Sequence, residues 1–442
     1  MGPVMTILWA ILSVVGAIMI LVFVHEMGHF LFAKLFKMRV DRFSVGFPPK
    51  IVGKKIGETE YVIGATPLGG YVKIAGMVDE SMDTEFSESE PQPWEFRAKP
   101  VWQRIIVITA GVVFNILLAA VIYMGLKYAY GDAQAIATDD GSVYVADSSL
   151  AYTIGLRTGD RILKIGGKPF DPYAGAKNLN ALLADDLTIE VGRDGEQLQF
   201  EGPEDIITQL SRAGTLGISA EASVVGDVLE GSPAQEAGLQ HGDRIIAIGG
   251  EPVKFWAQLT GRIQASEGEP LHVQWVREGE HAVYDAHIAP KRENEDEAYL
   301  IGVGQGIRYK EYTLAQAVVS GIETTWVSTI GTAISLKRIF TGRENIRENI
   351  GGPLMVAKIA GQAAQRGAYD FWNIVALLSI TLAIVNILPI PALDGGHLMF
   401  LLYEGITRRE PSLKVRMVMQ QVGMVLLLAL MVLLVFNDIL RL

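Results

Sequence analysis

Four stretches of the chain, 5–24, 105–126, 371–393 and 418–436, contain no Asp, Glu, Lys or Arg. Each is as long as the roughly 18 apolar residues that a bilayer-crossing helix needs. The pattern predicts four transmembrane helices with polar regions between them. The first run continues past residue 24 into His25 and Glu26 without a small-residue cleavage pattern, so it reads as a retained helix and not a signal peptide.

A fifth stretch, 313–336, carries one charge, Glu323, and is long enough to cross. Its Ser, Thr and Gly content lowers its hydropathy, and Leu314, Val318, Ile322, Trp326 and Ile330 recur at i+4. That stripe predicts an amphipathic helix lying at the membrane surface.

Loop charge sets the expected sidedness. Lys34, Lys37, Arg39 and Arg42 follow the first span, Arg97, Lys99 and Arg104 precede the second, and Arg408, Arg409, Lys414 and Arg416 lie between the last two. These loops share a side by parity and are expected to be cytoplasmic, which puts 130–370 outside, in the periplasm of an inner-membrane protein.

The outer region contains a repeat. Gly155-Leu-Arg-Thr-Gly-Asp-Arg-Ile-Leu-Lys-Ile-Gly-Gly167 aligns without gaps on Gly238-Leu-Gln-His-Gly-Asp-Arg-Ile-Ile-Ala-Ile-Gly-Gly250, a period of 83 residues. Each copy reads as a glycine-capped helix end, a Gly-Asp turn, a short strand and a Gly-Gly turn. The pattern resembles the circularly permuted PDZ domains of bacteria. The resemblance implies two tandem domains, with a peptide-accepting edge at Leu216, Gly217 and Ile218 in one copy and Ile301, Gly302 and Val303 in the other. C-terminal peptides are the partners such edges would take, and strands that merely close the fold are the alternative.

Of 442 residues half are hydrophobic, and the net charge is −11, concentrated in 79–95 and 130–300. A basic face for nucleic acid is excluded. The absence of cysteine excludes disulfides, thiolate metal sites and thiol nucleophiles.

The first span ends in His25-Glu26-Met27-Gly28-His29. Four residues of helix turn through about 400°, so the two imidazoles lie about 40° apart on one face and can share one Zn²⁺. Glu26 projects beside them as a general base. Three ionisable groups at the end of an apolar helix are costly unless a metal, a partner or a wet cavity compensates. A hydrolytic zinc has three protein ligands, and the third is expected from Asn386-Ile-Leu-Pro-Ile-Pro-Ala-Leu-Asp394-Gly-Gly-His397, where Pro389 and Pro391 break a span before a carboxylate and a Gly-Gly turn. With four spans Asp394 and His25 fall at the same depth; with five they would lie on opposite faces. His397 is a rival ligand better suited to a supporting role, and Asn386 could donate to a developing oxyanion or hold substrate backbone.

These motifs, with tandem PDZ-like copies between spans two and three, resemble the site-2 protease family of intramembrane zinc metalloproteases. Pro67-Leu-Gly-Gly-Tyr-Val-Lys73 and the Gly111-x-x-x-Asn115 element belong to the same resemblance, while Ala110 departs from it at a packing position. It implies zinc on His25, His29 and Asp394, and Glu26 as base and then acid. The implied substrates are single-span membrane proteins, either an anti-sigma factor already shortened by a first protease or a remnant signal peptide. Substrate contacts would fall at Asn386, Pro389 and Pro391. Because a helix hides its carbonyls, an edge strand for the unwound substrate is expected from 61–74, read as two β segments around a turn and including Val62, Gly70 and Val72.

The expected fold is therefore a multi-domain membrane protein, with a four-helix transmembrane core, a membrane-associated β region and two mixed β/α PDZ-like domains. Its segments are 1–38 (first span), 39–100 (β region), 101–129 (second span), 130–220 and 221–308 (PDZ-like copies), 309–370 (interfacial helices), 371–403 (third span) and 404–442 (loop and fourth span). Two rivals are weaker: a membrane-tethered PDZ scaffold would not need Glu26, and a protease facing the cytosol would need a downstream Glu ligand on a helix that 34–104 lacks.

Overall fold

A computed structural model describes residues 3–77, 90–173, 175–184, 187–277, 279–280, 282–292, 298–344 and 351–441. Residues 79–89 of the acidic stretch lie outside that set. Two compact units emerge: Met1–Tyr130, Tyr312–Leu336 and Ile350–Leu442 form one, and Gly131–Glu311 with Lys337–Asn349 the other.

In the first unit, four helices among the described residues are long and apolar enough to cross a membrane: Leu12–Leu35, Val101–Tyr130, Ala368–Ile387 and Leu413–Leu440. The chain is a multi-pass membrane protein. Ala17, Ala119, Ala376 and Ile380 form the buried seam among the first three. Lipid gives no hydrophobic drive for helices to associate, so such small residues matter because they let backbones approach and side chains interlock. The fourth span instead leaves Val425, Leu428, Val432 and Phe436 exposed.

The helix Leu314–Phe340 is not among the candidate spans. Its predicted stripe, Leu314, Val318, Ile322, Trp326 and Ile330, is exposed, whereas Ala317 and Thr325 are buried. A second helix, Pro353–Arg366, starts against the fourth span, where the Asp438 carboxylate accepts from the backbone N–H of Gly352, Leu354 and Met355 at 2.8–3.0 Å. A carboxylate there satisfies the unpaired amides of the first turn and complements the helix dipole.

Between the first two spans, strands Val40–Ile56 and Thr59–Ile74 form a bent antiparallel sheet. The segments 60–63 and 70–74 do not pair with each other. They flank 42–45 on opposite sides, with Val62 and Val72 opposite Ser44 and Phe43, while 52–56 closes the far side. The expected local turn is thus replaced by a central strand borrowed from upstream, because Phe43, Val72 and Ile74 share one buried cluster with Ala33 of the first span. On the exposed side, Lys50 and Arg42 hold the Glu60 carboxyl below its usual range.

In the second unit one strand order occurs twice. Arg161–Ile165, Lys168–Pro169, Thr188–Arg193 and Glu196–Glu201 form a four-stranded antiparallel sheet with the second strand at one edge and the first beside it. Arg244–Ile248, Glu251–Pro252, Leu271–Val276 and Val283–Ile288 repeat that order. The Gly-Asp turn is structural in both copies. Asp160, 1 % exposed, binds Arg193 at 2.6 and 2.8 Å and accepts from the Arg157 N–H. Asp243 does the same with Arg277 and the Gln240 N–H. Glu344, in the segment that follows the long helix, accepts from the Ile207 and Thr208 N–H groups of the first copy and pairs with buried Arg338.

The residues expected to form a peptide edge are placed alike in the two copies. Leu216 and Ile301 are buried in the two cores, and Gly217 and Gly302 press against Ser149 and Ser232, which cap short helices. Ile218 and Val303 each begin a strand, paired with Tyr144–Val145 and Val225–Val228 respectively. Asp160→Ala leaves Arg193 and the turn amide without their buried partner, and is expected to destabilise the first copy by about 2–3 kcal/mol, read as a lowered thermal or urea midpoint of this unit.

Candidate metal centre

The first span runs unbroken over Pro3–Leu35 and places His25 and His29 one turn apart, both buried. The third span ends at Ile387, with an extended Leu388 and the two prolines. Proline supplies no N–H and disfavours helix in the residue before it, so a restart is needed. The restart is the helix Asp394–Thr407, with Asp394 as its first residue. The Gly-Gly pair is therefore the first turn of a helix and not a loop turn. A Cβ on Gly395 would lie 2.0 Å from the Leu388 carbonyl oxygen, so only glycine lets the new helix pack on the broken end.

Three ligand atoms converge. His25 Nε2 and His29 Nε2 are 3.2 Å apart, and Asp394 Oδ2 lies 3.1 and 3.4 Å from them. Tetrahedral coordination with metal–ligand bonds of about 2.0–2.1 Å requires neighbouring ligand atoms about 3.3 Å apart, which is the spacing found. Asp394 Oδ2 is buried and faces both imidazole nitrogens, so its lone pairs are directed at the shared point. The residues fit zinc, and no other such group occurs among the described residues.

The second span supplies no ligand yet shapes the centre. A Cβ on Gly111 would sit 2.4 Å from His29 Nε2 and 2.8 Å from His25 Nε2, and one on Gly28 would sit 2.5 Å from the Ala110 carbonyl oxygen. Each glycine makes room for the other helix. His29 Nδ1 donates to the Val107 carbonyl at 2.8 Å, which fixes the ring and leaves Nε2 as the ligand. The Gly111-x-x-x-Asn115 spacing was legible as a motif; its contact with the imidazoles was not.

A cavity of about 490 Å³ opens on the centre. Glu26 lines it beside the three ligands, next to the backbone amide of Val72. Gly69, Gly70, Tyr71 and Val72 form one wall, an outer strand of the sheet paired only through 42–45. Asn386 and His397 also line it, with Asn386 Nδ2 3.4 Å from His25 Nε2. His397 stands outside the metal group. Leu427, Leu430, Met431 and Leu434 of the fourth span complete the wall.

Three predicted contacts fall elsewhere. Val62 is not a cavity residue: its segment is paired on both sides, to Ser44 and Gly53, and so offers no free edge. Pro389 and Pro391 are likewise absent from the lining; Pro391 packs where a Cβ on Gly423 of the fourth span would collide.

A His-His-Asp centre carried by apolar helices, with a glutamate in its cavity, defines a membrane metalloprotease. Residues 13–430 match peptidase family M50, and the chain belongs to that family. It is 31% identical to the regulator of sigma-E protease RseP of Escherichia coli, over 99% of this chain and all of the relative. Identity is also 31% to a regulator of sigma E protease of Haemophilus influenzae, over 99% of this chain and all of the relative, and to a putative zinc metalloprotease of Neisseria meningitidis, over 98% and 99%. The protein is an intramembrane zinc metalloprotease.

Gly111→Ala drives a methyl group into both imidazoles. The expected result is purified protein with helical circular dichroism unchanged and zinc per chain, measured by mass spectrometry, reduced at least tenfold.

Proposed function

We propose that this chain hydrolyses peptide bonds within or beside the transmembrane helix of single-span bacterial inner-membrane proteins. The observation that carries the reading is an outer strand, 69–74, lying in the same cavity as Glu26 and the His-His-Asp group. A helical substrate keeps its carbonyls in i to i−4 bonds and must become extended before attack. An unpaired strand edge compensates the backbone groups thus freed, which apolar surroundings otherwise make costly.

His25, His29 and Asp394 would hold zinc, which when bound would supply Lewis acidity toward the scissile carbonyl and water. Glu26 accepts the proton of the attacking water and returns it to the leaving amine. The Asn386 amide donates to the oxygen on which charge develops. Gly70 and Val72 align the extended substrate, and the fourth-span leucines exclude bulk water. The substrate class is an anti-sigma factor shortened by a first protease, with remnant signal peptides as a second, in regulated intramembrane proteolysis of envelope stress signalling. The names of the Escherichia coli and Haemophilus influenzae relatives, regulators of sigma-E protease, support the link to sigma-E regulation. The tandem copies are PDZ-like, lie in the periplasm and meet the substrate's outer part or its C-terminus, and the centre faces the cytoplasmic leaflet, in keeping with the loop charge.

With a single-span test substrate in detergent, Glu26→Gln is expected to keep its zinc and lose about 10³-fold or more in cleavage rate; cleavage at the wild-type rate refutes the assignment. Val72→Pro removes the strand-edge amide that stands beside Glu26, and should lower cleavage of the same substrate about tenfold or more while zinc stays bound.

A further inference from the structure

We propose that Asn115 is the positioning residue for His25: its side-chain oxygen accepts a hydrogen bond from the Nδ1–H of the ring and thereby turns the Nε2 lone pair toward the metal. The inference rests on zinc being held by His25, His29 and Asp394.

The two histidines face different partners. His29 Nδ1 meets the Val107 carbonyl, which only accepts, so that ring has a single neutral tautomer compatible with ligation through Nε2. His25 Nδ1 meets the Asn115 side-chain amide at 3.1 Å, with the amide nitrogen turned toward the ring. In that orientation Nδ1 must accept, the ring proton sits on Nε2, and Nε2 cannot ligate. The same orientation strands Asn115 Oδ1, which is buried and has no hydrogen-bond partner. A half-turn of the amide exchanges nitrogen and oxygen with no change in shape. It removes both conflicts, since Oδ1 gains a donor and Nε2 becomes free beside His29 Nε2 and Asp394 Oδ2.

The residue is held firmly enough for the task. Asn115 has no exposed surface, and its backbone carbonyl accepts from Ser379 Oγ of the third span at 2.7 Å. Val107, Gly111 and Asn115 recur every four residues, a spacing that puts all three on one face of the second span. One residue orients His29, the next makes room for both rings, and the last orients His25.

The test is zinc affinity of the full-length protein in detergent, by competition with a chromophoric chelator. Asn115→Leu keeps the volume and removes the acceptor, and is expected to bind zinc about 10–100-fold more weakly. Asn115→Asp keeps an acceptor oxygen and is expected to retain wild-type affinity. A role confined to packing predicts the reverse order, because a buried carboxylate is tolerated less well than leucine. Leucine at wild-type affinity, or aspartate as weak as leucine, overturns the proposal. Should the leucine variant not fold, Asn115→Ala against Asn115→Asp makes the same comparison. Wild-type protein that binds no zinc would overturn the metal reading itself, whereas wild-type binding with indifferent Asn115 variants overturns this inference alone.

Discussion

The metal centre depends on two helix backbones coming closer than side chains ordinarily allow. Gly28 lies over the Ala110 carbonyl, and Gly111 lies under the two imidazoles. In a bilayer this contact gains nothing from the hydrophobic effect and is held by dispersion and by polar bonds that have no water to compete with. Here that bond is His29–Val107, while Ser379–Asn115 ties the third span to the second. Two histidines and a carboxylate at this depth are tolerable only because the close approach lets them neutralise one shared charge.

The same economy shapes the third span. Its break frees carbonyls, which the restarted helix covers by packing Gly395 on Leu388. The carboxylate that opens the restarted helix also sits at its positive end. Fold and chemistry thus use one irregularity, in which Gly395 packs on the Leu388 carbonyl while Pro389 stays exposed.

Much of this was legible in the sequence. Uncharged runs located four spans, the i+4 stripe from Leu314 to Ile330 separated a fifth helix from them, and the 83-residue period located two copies with one strand order. The His25-Glu26-x-x-His29 spacing and the depth of Asp394 led to the ligand group. What stayed hidden was set by partners distant in sequence. Residues 60–63 and 70–74 alternate like a local hairpin, yet both pair with 42–45, so Val62 became interior and Val72 an edge. The Gly-Gly after Asp394 reads as a turn in any local window, and only the returning Leu388 carbonyl makes it helical. Asp160 and Asp243 stood in a repeated motif, and the half-buried arginines that each binds, more than thirty residues on, show that the motif holds the fold of each copy together.

Arg104, near the start of the second span, forms a buried ion pair with Glu404 near the end of the helix that Asp394 begins. The second span therefore grips the bearer of the third ligand at one point and the bearers of the first two at another. It works as a jig: the separation between carboxylate and imidazoles is inherited from its own rigid pitch. Damage to a helix that never touches the ion should misalign the ion's cradle as surely as loss of a ligand.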